Sequence, residues 1–299
     1  MRIAIIDIGS NSFILLIAEI QNHNYKVINQ YFEIPRLGAN LMIDGTISEE
    51  SINNAVNALK KFKQIIEENQ VDIVLPVATA VLREAKNRDK VRQLLSGVIG
   101  QEIQVISGEE EAKFSFLGSI NSNENCLVID VGGGSTEIVY GNLESIKFVK
   151  SFPIGAAKVK SKFFEKNINS HSISDAKEFL KSIFYSDYNF PNDVLLIGVG
   201  GTITTLAYIL NNLSFYDSAV IQNTIISYPQ NQNLFAELIK LTPSELSERY
   251  NIHPKRADIL TSGQLIYLTL QEQFNKADIK VSTQGLRFGI LKNYMQKIS

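Results

Sequence analysis

The chain has 299 residues, enough for two domains with separate cores, and its 44% hydrophobic and 20% charged residues are those of an ordinary soluble globular protein. A net charge of −2 argues against a broadly basic nucleic-acid binder, so a polyanion site must be a local concentration of positive charge. The single cysteine, Cys126, excludes an intramolecular disulfide framework and a cysteine-based zinc site, and His23, His171 and His253 lack the spacing of a metal site or catalytic dyad.

The first run, Arg2-Ile3-Ala4-Ile5-Ile6, predicts a strand and lacks the flank and cleavage site of a secretory signal, which points to the cytoplasm. It leads into Asp7-Ile8-Gly9-Ser10-Asn11-Ser12 and a second apolar run, Phe13 to Ile17, the pattern of a β-hairpin with a small-residue turn. Ser48 is placed to cap a helix in which Ile52, Ala55, Val56, Leu59, Phe62 and Ile66 follow helical spacing. Val71 to Ala78 predicts a buried strand, and the helix beginning near Thr79 carries Arg83 about one turn in. Ile103 to Ile106 predicts another strand.

Ser107 and Glu110 then fit a capping box, and Glu109 suits an acidic first turn, which leaves Glu111 without a structural task. The hairpin pattern returns as Ile129-Asp130-Val131-Gly132-Gly133-Gly134-Ser135 followed by Ile138-Val139-Tyr140. Two copies with aspartate in the same place are the mark of a duplicated unit. Cys126 lies in the apolar run before the second copy, as a buried residue does. Lys147, Lys150, Lys158, Lys160, Lys162 and Lys166 follow, opposed only by Glu165. Val194 to Leu210 is apolar, but Gly198, Gly200, Gly201 and three threonines make it a strand, tight turn and helix instead of a membrane span. Pro254 to Phe274 predicts a long helix. The alternation predicts an α/β protein with two related halves and no tether between them.

Two Asp-x-Gly turns facing each other across a cleft form a phosphate clamp. Backbone N–H groups around Gly9, Gly132, Gly133 and Gly134, with Ser10, Asn11, Ser12 and Ser135, can donate to phosphate oxygens. Asp7 and Asp130 at strand ends can hold Mg²⁺ (or Mn²⁺), and Glu137 can reach the same cation. Gly200, Gly201 and Thr202 open a helix and offer a third, weaker phosphate loop. From spacing alone, two readings stand for Glu111, a surface-helix residue or the base that activates water. Arg83 is either half of a salt bridge or a bidentate phosphate ligand. The lysine stretch is either a solvated face or a path for a polyanion, with Lys158 at its centre.

These residues resemble the exopolyphosphatase/guanosine pentaphosphate phosphatase family. The resemblance runs through both Asp-x-Gly hairpins, Ala78-Thr79-Ala80-Val81-Leu82-Arg83, Ile106 to Ala112, Pro153-Ile154-Gly155-Ala156 and Gly198-Val199-Gly200-Gly201-Thr202. It continues in Arg256-Ala257-Asp258-Ile259-Leu260 and Gly285 to Leu291. It implies two actin-like (ribonuclease H-like) domains, 1–119 and 120–286, with a cleft between them and the C-terminal helix of about 287–299 packing back on the first. It further implies Glu111 as catalytic base, Arg83 on the reacting phosphate, Asp130 and Glu137 serving the metal, and polyphosphate or guanosine polyphosphate as substrate. A homodimer fits the family; nucleic acid and membrane do not. Ile14 stands where arginine or histidine is frequent in the family, and Lys158 where arginine is, while extra C-terminal domains of longer relatives are not expected. The leading expectation is a phosphoanhydride hydrolase. An ATP-dependent kinase of the same superfamily and a non-catalytic guanosine polyphosphate-binding regulator are the alternatives, the kinase disfavoured by Glu111 and the absence of a sugar-binding signature.

Overall fold

The computed structural model describes residues 1–22, 24–39, 41–165, 168–185 and 188–298; His23 and Lys166 lie outside the described residues. The first half begins with a meander, β1 (Arg2–Ile8), β2 (Phe13–Gln21) and β3 (Asn24–Glu33). A short helix α1 (Leu41–Asp44), then α2 (Glu49–Glu68), β4 (Ile73–Ala78), α3 (Ala80–Glu84), α4 (Arg88–Ile99), β5 (Gln104–Val105) and α5 (Gly108–Ser119) follow. The strands form one sheet in the order β3-β2-β1-β4-β5.

A second meander, β6 (Cys126–Val131), β7 (Thr136–Gly141) and β8 (Ile146–Phe152), opens the other half. Then come α6 (Ala156–Val159), a π turn over Lys160–Phe164, α7 (Ser170–Ile183), β9 (Leu195–Val199), α8 (Gly201–Leu210) and α9 (Ser218–Ile221). β10 (Ile225–Ser227), α10 (Tyr228–Leu238), α11 (Pro243–Tyr250), α12 (Pro254–Gln273), β11 (Asp278–Val281) and α13 (Leu286–Ile298) complete it. This sheet runs β10-β11-β9-β6-β7-β8. In both sheets the opening strand pairs antiparallel with the next and parallel with the strand after the first helical crossover. The duplication seen in the two Asp-x-Gly motifs therefore extends to whole sheets.

Local physics places these elements. β1 is central and buried on both faces, so it reads as a continuous apolar run, whereas edge strand β3 alternates and carries polar residues outward. Ser48 caps α2 by accepting from the Ser51 N–H, and Ala55, Leu59, Phe62 and Ile66 form its buried face. α12 is buried along nearly its whole length from Ala257 to Gln271, a core helix of the second half. α13 lies against α5 and β1, with Leu286 and Phe288 among Ile3 and Ile5. A Cβ on Gly289 would collide with the Phe114 carbonyl, so that helix pair approaches only because glycine stands there.

Three elements are shorter than their sequence patterns. The strand expected over Ile103–Ile106 is paired only at Gln104–Val105, because Ile103 and Ile106 turn inward to the core from outside the ladder. The one expected from Val71 starts at Ile73, and the helix after Thr79 spans five residues before α4 takes over. Among the described residues no helix is long and apolar enough to cross a membrane.

Candidate active site

Both Asp-x-Gly turns are closed by the same bond. The Gly9 N–H donates to the Ser12 carbonyl at 3.1 Å, and the Gly132 N–H to the Ser135 carbonyl at 3.0 Å. Strand register then decides what faces each aspartate. Asp130 lies opposite Glu137, which lies opposite Ser151; in the first half Asp7 lies opposite Ile14, which lies opposite Phe32. One half thus presents a polar row across its three strands, the other an aspartate backed by apolar side chains.

The turns touch through atoms that glycine leaves free. A Cβ on Gly133 would lie 3.2 Å from the Asn11 Cβ, and one on Gly134 2.6 Å from the Ser10 Oγ. α6 begins against the second turn: the Ala156 and Ala157 N–H groups donate to the Gly132 and Gly133 carbonyls at 2.9 and 3.0 Å. Gly200, with φ +100°, starts the third loop in a conformation that favours glycine, its Cα facing Asp130.

These loops enclose a cavity of about 170 Å³ between the halves. Asp7, Gly9, Ser10, Asn11, Ser12, Glu111, Asp130, Gly132, Gly133, Gly134, Ser135, Glu137, Gly200, Gly201 and Thr202 all border it. Arg83 and Lys158 do not. Arg83 instead meets Glu111, donating from Nη1 to Oε2 at 2.6 Å and to the Ile106 carbonyl at 3.2 Å. Of the two readings open for Arg83, a salt bridge or a phosphate ligand, the structure shows a salt bridge, with Glu111. Glu110 does cap α5, bonded to the Ser107 N–H and hydroxyl, and so leaves the cavity to its neighbour.

Lys158 is buried, its ammonium 2.6 Å from Glu84 and 3.1 Å from the Pro153 carbonyl. The close seating of Gly155 on Gly132 turns α6 so that this side chain ties the halves together beside the cavity. Lys160 pairs with Asp258, while Lys147, Lys150 and Lys162 lie over the rings of Tyr140, Phe152 and Phe179. His171 is exposed, and His253 caps α12 by accepting from the Lys255 N–H.

Charge in the cavity is unbalanced. Burial pushes Glu111 up to about 7 against the pull of Arg83, and Asp7 and Asp130 add to the rise. Asp7 reaches about 6 by burial, with Arg287 opposing and Asp130 assisting. Burial likewise raises Asp130, against Ser115 and Arg287, and lifts Glu137 well above the carboxylate range, with Glu111 and Asp130 contributing. Ser115 donates to Asp130 and Ser151 to Glu137, each fixing a carboxylate. Among the described residues no three Asp, Glu, His or Cys side chains form a ready-made metal cage. The donors are oxygen only and partial, which fits a hard cation that keeps waters and takes substrate oxygens.

Sequence reasoning assigned no role to Arg256, Arg287, Tyr216 and Thr204, which also border the cavity. Arg287 is buried, its Nη1 3.6 Å from Asp7 and its Nε without a partner among the described residues. Arg256 donates to the Gly201 carbonyl at 3.1 Å. Both arginines lie in the family-like motifs of α12 and α13, the one signal that could have found them.

Comparison with known proteins follows the same outline. Residues 16–298 match the profile of the Ppx/GppA phosphatase family. The bifunctional 3-dehydroquinate synthase/phosphatase of Fusobacterium nucleatum is 31% identical over 96% of this chain, which spans 46% of that protein. Exopolyphosphatase 2 of Mycobacterium tuberculosis is 26% identical over 92% of this chain and 91% of its own length. The crystal structure of the Aquifex aeolicus member of the Ppx/GppA protein family superposes with a TM-score of 0.84 at 32% identity, covering 100% of this chain and 99% of the other. The shared fold is the actin-like one.

Proposed function

The chain belongs to the Ppx/GppA phosphatase family, and from that premise we propose that it releases the terminal phosphate of polyphosphate or guanosine pentaphosphate in the cytoplasm. The observation that carries the reading is Glu111, a carboxylate not used for helix capping, bordering the phosphate-sized cavity and held up to about 7. A base with that affinity for protons is suited to take one from water near neutral pH.

In this mechanism the backbone N–H groups and hydroxyls of the two Asp-x-Gly turns, with Gly200, Gly201 and Thr202, hold the terminal phosphate. Glu111 accepts a proton from water as its oxygen attacks phosphorus in line. The bridging P–O bond breaks, orthophosphate forms, and the chain leaves one phosphate shorter. Arg83 orients Glu111 and limits how far its proton affinity rises. Arg256, at the Gly201 carbonyl, and Arg287, beside Asp7, supply positive charge to the cavity. A divalent cation, Mg²⁺ or Mn²⁺, held by Asp130 and Glu137 with Asp7 beside them, would neutralise developing charge on the phosphate oxygens. Residues 1–119 and 120–286 act as the two domains of the cleft, with α13 returning to the first.

The test is phosphate release from long polyphosphate, guanosine pentaphosphate and ATP, with and without Mg²⁺. Metal-dependent release from one of the first two is expected. Consumption of ATP only when a small alcohol accepts the phosphate would make the protein a kinase.

A further inference from the structure

Two aromatic rings stand at the rim of the cavity, one from each half. Phe32 lies near the end of β3, and Tyr216 lies between α8 and α9. Both border the cavity. Their centroids are 6.0 Å apart with planes inclined by 58°, the spacing of a tilted pair in contact. A third ring has no slot between them.

Neither ring is needed for a core. Phe32 is 43% exposed and Tyr216 48%, so each leaves apolar surface in water. Phe32 ends the row Asp7–Ile14–Phe32 across β1, β2 and β3, whose counterpart in the second half is the polar row Asp130–Glu137–Ser151. The first half therefore walls the cavity with hydrocarbon where the second offers ligands. Tyr216 turns its hydroxyl inward, within hydrogen-bonding reach of Thr204 and in the field of Arg256 and Arg287.

A cavity of about 170 Å³ falls below the roughly 300–1,000 Å³ of sites that enclose drug-sized ligands. It opens to solvent, so whatever extends beyond the phosphates seated in it lies at the rim. A nucleoside polyphosphate whose last phosphate sits at the glycine turns must carry its ribose and base out past the two rings. An unbranched phosphate chain is narrower than a ribose and base and clears the edge of the ring pair that a nucleoside would strike.

We propose that Phe32 and Tyr216 form a gate between the halves that sets substrate class, passing unbranched phosphate chains and hindering nucleoside polyphosphates. The proposal rests on the hydrolase reading above. The experiment compares kcat/KM for a polyphosphate of defined length with that for guanosine pentaphosphate in wild type, Phe32→Ala, Tyr216→Ala and Tyr216→Phe. Each alanine variant should shift the ratio toward the nucleotide by about tenfold, mainly through KM, a magnitude usual for relief of a local steric block. Tyr216→Phe keeps the ring and should leave the ratio near that of wild type.

A ratio unchanged in both alanine variants would overturn the gate. A ratio shifted toward polyphosphate would also overturn it, because the rings would then be a seat for the base. Binding of both ligands by calorimetry, to the same variants carrying Glu111→Gln, gives the ratio without turnover. The two ideas can thus fail separately: wild-type protein releasing phosphate from neither substrate defeats the hydrolase reading, while the binding ratio still decides the gate. Phe32 lies on an edge strand and is half exposed, so its truncation leaves both cores intact.

Discussion

Glu110 and Glu111 are adjacent and chemically near-identical, yet the first is spent on Ser107 and the second borders the cavity. Glu111→Gln should lower kcat roughly 10²–10⁴-fold, the usual worth of a general base, with substrate binding retained. Glu110→Gln should cost only a little stability, because glutamine also serves at this position of a capping box, and little activity, as read by thermal melting beside steady-state kinetics. A base must be ionised to act, so kcat should rise with pH through the value near 7 at which Glu111 titrates and level off above it. Arg83 pulls that value down. Arg83→Ala should therefore move the rise to higher pH as well as lowering the plateau, and an unmoved profile would separate Arg83 from the base. The candidate for this role was legible in the sequence because capping is a local rule that consumes named residues. Arg256 and Arg287 were not, since each reaches the cavity from a helix placed by tertiary packing, α12 in the second core and α13 against α5 and β1.

At the scale of elements, the glycine turns work by permitting contact. Gly155 has an ordinary extended backbone, but a Cβ there would lie 2.5 Å from the Gly132 carbonyl oxygen and 2.7 Å from the Gly133 carbonyl carbon. Backbone atoms cannot swing aside as a side chain can, so α6 would have to withdraw from the second phosphate turn. Gly155→Ala should destabilise the fold by about 1–3 kcal/mol, as overpacking does, and raise KM more than it lowers kcat. Equal KM for variant and wild type would mean that the turn holds its shape without α6. The hairpins themselves could be read from sequence, because alternation and small-residue turns are short-range signals. The lysine run could not. Its side chains are distributed by tertiary contacts among Glu84, Asp258 and three aromatic rings, none of which is near in sequence except Phe152 and Tyr140.

Across the whole molecule, folding brings Asp7, Glu111, Asp130 and Glu137 from two halves into one enclosed space. Asp7 at about 6 and Glu111 at about 7 stand above their ordinary 3.8 and 4.5. The folded chain therefore keeps protons that the unfolded chain has already released between about pH 4 and 7, so stability falls as pH rises through that window. Metal-free protein should melt lower at about pH 8 than at about pH 5.5, and Mg²⁺ should raise the melting temperature more at the higher pH, where the acids are ionised. A metal-free melting temperature independent of pH would show that Asp7 and Glu111 do not stand above their ordinary values, and one insensitive to Mg²⁺ at high pH would show that Asp130, Glu137 and Asp7 do not share a cation. Chelation should also abolish turnover, and Mg²⁺ or Mn²⁺ should restore it.

The repeated Asp-x-Gly hairpins, the α/β alternation and the distinction between a capping and a spare glutamate are all legible in the order of the residues. Each of these depends on residues within one turn, one strand pair or one helix end, where geometry follows directly from local chemistry. Only the tertiary structure decided that Ile14 and Phe32 continue the row from Asp7 while Glu137 and Ser151 continue the row from Asp130, because register is set between strands. Only it decided that Lys158 meets Glu84 and that Tyr216 meets Phe32 across the cleft. Those contacts join residues tens to hundreds of positions apart, and their formation depends on how two separate cores come to rest against each other.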